Sequence, residues 1–86
     1  MFIVLTYDIG VKRVAKVMKI CRKYLVHVQK SVFEGNITET KLKKLKSELR
    51  KIIHSEDDSI CIYEVEKLMN VQKEQIGVVH DNSYII

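Results

Sequence analysis

The feature that most constrains this chain is its succession of hydrophobic periods. An apolar run is followed by a helical period, an alternating stretch, a second helical period and a second alternating stretch. Each such element must bury one apolar face. The order β-α-β(β)-α-β therefore predicts two helices laid over one face of an antiparallel sheet. The whole unit fits within 86 residues, the length of one domain. A chain this short buries only about 60 to 65% of the surface its unfolded form exposes, which favours association with a second subunit.

The first run fixes the chemistry to be explained. Met1 to Leu5 is apolar and rich in β-formers, and Leu5-Thr6-Tyr7-Asp8-Ile9-Gly10 ends it on a single carboxylate before a strongly basic helix. Asp8 therefore stands at a strand's C-terminal end, where open sheets gather functional residues. Its competing role is local: an acid just ahead of a helix can cap the unsatisfied N–H groups of the first turn.

Val11 to Leu25 carries apolar residues at Val11, Val14, Ala15, Met18, Cys21 and Leu25, the spacing of an amphipathic helix. Its other face holds Lys12, Arg13, Lys16, Lys19, Arg22 and Lys23 with no acid among them, a self-repelling pattern that a nearby phosphate backbone relieves. Val26 to Ile37 alternates and is rich in β-branched and aromatic residues, so it is either one bent strand or a tight pair turning near Lys30 and Ser31. Gly35-Asn36 could supply a bulge or a turn there. Thr38 is a good N-cap for a second helix, marked by Leu42, Leu45, Leu49, Ile52 and Ile53 and running to about His54, again with a basic outer face. After the acidic turn Ser55 to Asp58, Ser59 to Val65 reads as a strand with Ile60 and Ile62 on one face and Cys61, Tyr63 and Val65 on the other. The sum is the α+β ferredoxin-like sandwich, βαββαβ, with a core over about 1–65. Apolar segments within 76–86 lie beyond that unit and suit an extra C-terminal strand, paired with the chain's own sheet edge or with that of a second copy.

Charge is divided unevenly. Residues 1–54 hold thirteen Lys and Arg against four acids, a balance of +9, while residues 55–86 hold two against seven, a balance of −5. The basic part is where a polyanion would sit, although a solvated helix surface has the same composition. Cys21 and Cys61 have apolar neighbours and no second ligand at metal spacing, and read as core thiols of a cytoplasmic protein. Phe2 to Leu5 is too short for a membrane span or a signal-peptide core.

There is no phosphate-binding glycine loop, no Cys/His zinc spacing and no nucleophile elbow. Ser31 and Glu34 fall on opposite faces of a strand, which argues against a serine triad, and His27, His54 and His80 are scattered. Hard oxygen ligation remains. Mg²⁺ takes one or two carboxylates and fills its octahedron with water and phosphate oxygens, so Asp8 alone would hold it weakly. Two copies of Asp8 meeting across a two-fold axis could share one ion, and would repel each other without it. Such an ion would activate water on a phosphodiester while the basic face holds the strand.

Thr6-Tyr7-Asp8-Ile9, Lys12-Arg13-Val14-Ala15-Lys16-Val17, His27 to Gly35 and Glu56-Asp57-Asp58-Ser59-Ile60 together resemble the CRISPR-associated family two, the small partner of the Cas integrase. The resemblance runs over essentially the whole chain. It implies a homodimer of ferredoxin-like protomers, with the C-terminal strand (76–86) crossing to the partner's sheet and Asp8 binding Mg²⁺ at the interface. It further implies a metal-dependent endonuclease on single-stranded RNA or double-stranded DNA, and a role in spacer acquisition bridging two integrase dimers. Carried over residue by residue, it makes Asp8 the metal ligand and places Tyr7 beside it as a positioning or stacking group. It matches Ser31 and Phe33 to the family's Ser-Val-Phe segment and Arg13 to a basic position, with Phe33 equally readable as core. Lys12, Arg13, Lys16 and Lys19 are the expected phosphate contacts.

Three readings follow. The first is a Mg²⁺-dependent endoribonuclease-type protein with Asp8 as ligand. The second is a non-catalytic DNA-binding scaffold in which the basic stripes act and Asp8 is a cap or interface group. A toxin-like ribonuclease of similar fold is the third.

Overall fold

The computed structural model describes residues 1–66 and 74–77. Six elements follow one another: β1 (Phe2–Asp8), α1 (Val11–Arg22), β2 (Val26–Gln29), β3 (Val32–Asn36), α2 (Glu39–Arg50) and β4 (Ser59–Val65). The strands form one four-stranded sheet in the order β2-β3-β1-β4, with every neighbouring pair antiparallel. This is the ferredoxin-like α+β arrangement that the periods predict. The expected C-terminal strand over 76–86 lies outside the described residues save for Ile76 and Gly77. No helix among the described residues is long and apolar enough to cross a membrane.

Strand alternation decides what each face carries. In β1, Ile3, Leu5 and Tyr7 are buried, while Phe2, Val4 and Thr6 are partly covered and Asp8 is exposed. The buried set packs with Phe33 and with Val17, Ile20, Cys21, Leu42, Leu45 and Leu49 of the helices, forming one core. Burying each such side chain contributes about 1.5–3 kcal/mol, so this layer is what holds the helices on the sheet. Directly opposed residues share a face. The helix-free side is therefore built from Phe2, Val4, Thr6 and Asp8, flanked by Val32 and Glu34 of β3 and by Cys61, Tyr63 and Val65 of β4.

Val26 to Ile37 is a pair of strands, not one bent strand. The chain turns at Lys30-Ser31, with Ser31 in the left-handed region at φ 65°, and the Tyr7 N–H donates to the Ser31 carbonyl at 3.1 Å to prolong the β1–β3 ladder. The irregularity expected near Gly35-Asn36 sits instead in β2, between His27 and Gln29. Thr38 caps α2 as its sequence predicts, its hydroxyl accepting from the Lys41 N–H at 3.2 Å, though the helix stops at Arg50 short of His54.

Two expectations are corrected. The buried face of α1 is Val17, Ile20 and Cys21, whereas Val11 is 90% exposed and Ala15 is exposed, so the core stripe is rotated from the predicted one. Cys61 is exposed and not a core thiol, because Ile60 and Ile62 take the helix-facing side of β4. Cys21 is fully buried, and burial pushes its thiol up to about 12.

Candidate functional site

Asp8 is the last residue of the central strand, directly opposite Ser59, the first residue of β4. It is exposed, and its carboxylate makes no hydrogen bond or ion pair among the described residues. It does not cap α1: the N-cap residue is Gly10, and no side chain closes that turn from within the local sequence.

The acid that does serve this helix start comes from 48 residues further along the chain. Asp58, just before β4, accepts the Gly10 N–H at 2.9 Å and the Arg13 Nη2–H at 2.8 Å on one carboxylate oxygen, and the Arg13 Nε–H at 2.6 Å and the His54 N–H at 2.8 Å on the other. Its side chain is fully buried, and the Arg13 side chain retains only 18% exposure. The Arg13 guanidinium, above all, and then the His54 and Gly10 amides hold the Asp58 carboxyl well below the usual carboxylate range against the opposing cost of burial. An anion here also meets the positive end of the α1 dipole.

Asp58 was not nominated from the sequence. The acidic turn is visible there, but nothing local says which of Glu56, Asp57 and Asp58 turns inward to an arginine 45 residues away.

The other nominated residues divide by face. Tyr7, Ser31 and Phe33 come together at this end of the sheet: the Tyr7 and Phe33 rings are 6.1 Å apart, Phe33 stacks on His27 at 4.6 Å, and the Tyr7 N–H donates to the Ser31 carbonyl. Burial, and secondarily Cys21, raises the Tyr7 phenol above its ordinary value. Tyr7 is 8% exposed and Phe33 is 0% exposed. Period-two alternation puts the Tyr7 and Asp8 side chains on opposite faces, and Phe33 takes the core position that its sequence equally allows.

Lys12, Lys16 and Lys19 are exposed along one line of α1, at i, i+4 and i+7. Arg13 lies off that line, on Asp58. Lys41, Lys43, Lys44 and Arg50 extend the exposed positive layer over α2, while Lys23 and the Tyr24 hydroxyl both engage Glu48. This layer covers the sheet on the side opposite the one Asp8 shares.

Among the described residues no three His, Cys, Asp or Glu converge on a metal-sized space. At the tip of the central strand, the carboxylate one chain offers is that of Asp8. That donor set fits Mg²⁺ where a second carboxylate, phosphate oxygens or water complete the shell.

The sequence profile of CRISPR associated protein Cas2 matches residues 1–73. The chain is 49% identical over 77 residues to the CRISPR-associated endoribonuclease Cas2 3 of Thermodesulfovibrio yellowstonii, covering 90% of this chain and 88% of that one. It is 41% identical over 78 residues to the CRISPR-associated endoribonuclease Cas2 of Thermotoga maritima, covering 91% and 90%. A solved crystal structure of Cas2 superposes with a TM-score of 0.83 at 35% identity, covering 93% of this chain and 90% of its own.

Proposed function

The chain belongs to the CRISPR-associated protein Cas2 family, and on that premise we propose that it is a Mg²⁺-dependent endonuclease acting with the Cas integrase in spacer acquisition. Its substrate is single-stranded RNA, with duplex DNA as the alternative. The observation that supports this reading is the exposed, uncommitted carboxylate of Asp8 at the tip of the central strand.

The active unit is a homodimer. The helix-free face supports that assignment, since it carries the half-buried Val4, Val32 and Val65 around Tyr63, which is 58% exposed, an apolar surface that a second copy can cover. Dimerisation through this face would bring two Asp8 side chains to one interface, and these are the residues that would hold a Mg²⁺ there. When bound, that ion supplies Lewis-acid stabilisation of the phosphodiester and lowers the pKa of a coordinated water. Lys12, Lys16 and Lys19, exposed on α1, supply point charges for phosphates of the bound strand away from the acid pair.

The test is a cleavage assay of wild type and Asp8→Asn on RNA and on duplex DNA, with and without Mg²⁺. The proposal expects Mg²⁺-dependent cleavage that Asp8→Asn abolishes. Retained cleavage in rigorously purified Asp8→Asn protein sinks it.

The exposed cations of both helices favour a second reading, a non-catalytic scaffold that lies against duplex DNA and bridges integrase dimers. It expects duplex binding that is indifferent to chelator, with each phosphate contact contributing a slope of about −0.9 in log K against log salt.

A further inference from the structure

We propose that Asp58 is a positioning residue for Asp8, and that Arg13 belongs to this clasp and not to the phosphate-contacting line of α1. The inference rests on the reading of Asp8 as the metal ligand.

The clasp closes on Gly10, two residues after Asp8. Asp58 immediately precedes Ser59, which pairs with Asp8 across the sheet, and it takes the N–H of Gly10 at 2.9 Å. The Asp8 backbone is thereby fixed from both sides, by the ladder on one and by the tethered turn on the other. The remaining donors tie that turn to the rest of the domain: Arg13 brings in the first turn of α1, and His54 brings in the loop after α2.

The carboxylate of Asp58 receives four donors, which uses its lone-pair capacity in full. It therefore has nothing left to offer a cation and acts only by holding other groups. Arg13 meets it with two N–H groups in the fork geometry that a lysine cannot reproduce.

Gly10 shows how closely the parts are fitted. Its backbone, at φ −57° and ψ 145°, is one any residue adopts, so conformational freedom is not why a glycine stands there. A Cβ at that position would lie 2.6 Å from Arg13 Nη2 and 3.5 Å from the nearer Asp58 oxygen. Any side chain at position 10 displaces the guanidinium. The sequence expects Gly10 as turn punctuation, whereas the structure gives it a second purpose, room for Arg13.

A buried ion pair is a poor source of net stability, because desolvation offsets much of the attraction. Its effect is geometric, and geometry is what a shared ion demands, since ligands must be held to within about 0.5 Å for two copies to meet one cation.

The experiment compares wild type, Asp58→Asn, Arg13→Lys and Gly10→Ala as full chains. Three quantities are read: amide exchange at Gly10, His54 and Leu5, affinity for Mn²⁺ alone, and single-turnover cleavage together with the salt slope of nucleic-acid binding. In each variant, exchange at Gly10 accelerates at least about tenfold while the Leu5 amide in mid-strand is unchanged. Mn²⁺ affinity and cleavage fall about ten- to a hundredfold, the range typical of groups that orient a metal ligand, with an unchanged salt slope. Gly10→Ala and Arg13→Lys keep the test open should Asp58→Asn fail to fold, because neither removes a charge.

Arg13→Lys is the sharpest arm, since a phosphate contact tolerates a lysine and the clasp does not. Full Mn²⁺ affinity and cleavage in that variant overturn the inference. A wild type that neither binds Mn²⁺ nor cleaves sinks the reading of Asp8 and the positioning role with it. A wild type that does both, beside variants that have lost Gly10 protection and do both equally well, sinks the positioning role alone.

Discussion

Tyr7 and Asp8 are neighbours in the chain and stand on opposite faces of the same strand, the phenol 8% exposed among core residues and the carboxylate in solvent. The consequence is a division of labour within one dipeptide. Tyr7→Phe removes only the hydroxyl and keeps the buried ring, costing about 1 kcal/mol or less in urea unfolding and leaving cleavage within about threefold of wild type. Phe33→Ala, at a fully buried position, costs about 3–5 kcal/mol on the same scale. Loss of activity in Tyr7→Phe without loss of stability contradicts this placement.

Two facing Asp8 side chains repel until a cation joins them. The dimer of Asp8→Asn in chelator is expected to be tighter than that of the wild type by about threefold, the worth of one like-charge contact near water. Mg²⁺ should tighten the wild-type dimer and leave the variant unmoved. Sedimentation with EDTA or Mg²⁺ reads both, and identical behaviour of the two proteins removes Asp8 from the interface.

Asp58 makes acid stability predictable in sign. Its folded-state pKa is depressed, so what it contributes is fully present above the ordinary carboxylate value near pH 4 and is withdrawn as pH falls toward the folded value. Asp58→Asn is expected to lower Tm by on the order of 10 °C at pH 7. That gap should narrow below about pH 4, where the wild type alone is losing an ionised partner for Arg13. Thermal melts at pH 3, 5 and 7 decide it: a gap of constant size means the carboxylate is not the charged member of the clasp.

Lys12, Lys16 and Lys19 are exposed along one line and free to meet phosphate. The triple alanine variant is expected to flatten the salt dependence of nucleic-acid binding by about 2.7 in slope, three contacts at about 0.9 each, with the fold intact. A slope that does not move assigns binding to the α2 cations instead.

The two thiols should behave differently. Cys21 is inaccessible and its thiolate is strongly disfavoured, whereas Cys61 is exposed on the helix-free face opposite Thr6. Titration with a thiol reagent at low protein concentration is expected to find one reactive group per native chain, becoming protected as the dimer forms. A Cys61 that reacts equally fast at every concentration puts the interface elsewhere.

Much of this molecule was legible in its sequence, and the parts that were not share a cause. Element order, the Thr38 cap and the Leu42, Leu45 and Leu49 stripe depend on neighbours within one turn, so local pattern carries them. The buried face of α1 is not legible locally, because Val11, Val14, Ala15, Val17, Met18, Ile20 and Cys21 offer more than one apolar stripe, and packing against the sheet chooses between them. Both faces of β4 are apolar too, so the exposure of Cys61 follows only from its register with β1. Asp8 could be picked out as a candidate, but the helix start it was expected to cap is served by Asp58, whose partners lie 45 and 48 residues earlier. Interactions of that range leave no periodic trace.

The central place of β1 also bears on how the protein is made. Both of its neighbours are translated after it, and its ladder with β4 pairs Phe2 with Val65. On the ribosome the first strand therefore waits, one margin unzipped, until residues 59–65 have emerged. An open strand margin is what passing polypeptides add themselves to. Nascent copies crowded on one messenger are exposed to cross-pairing for that interval, and the pause ends only when Ser59–Val65 swings in to seal it.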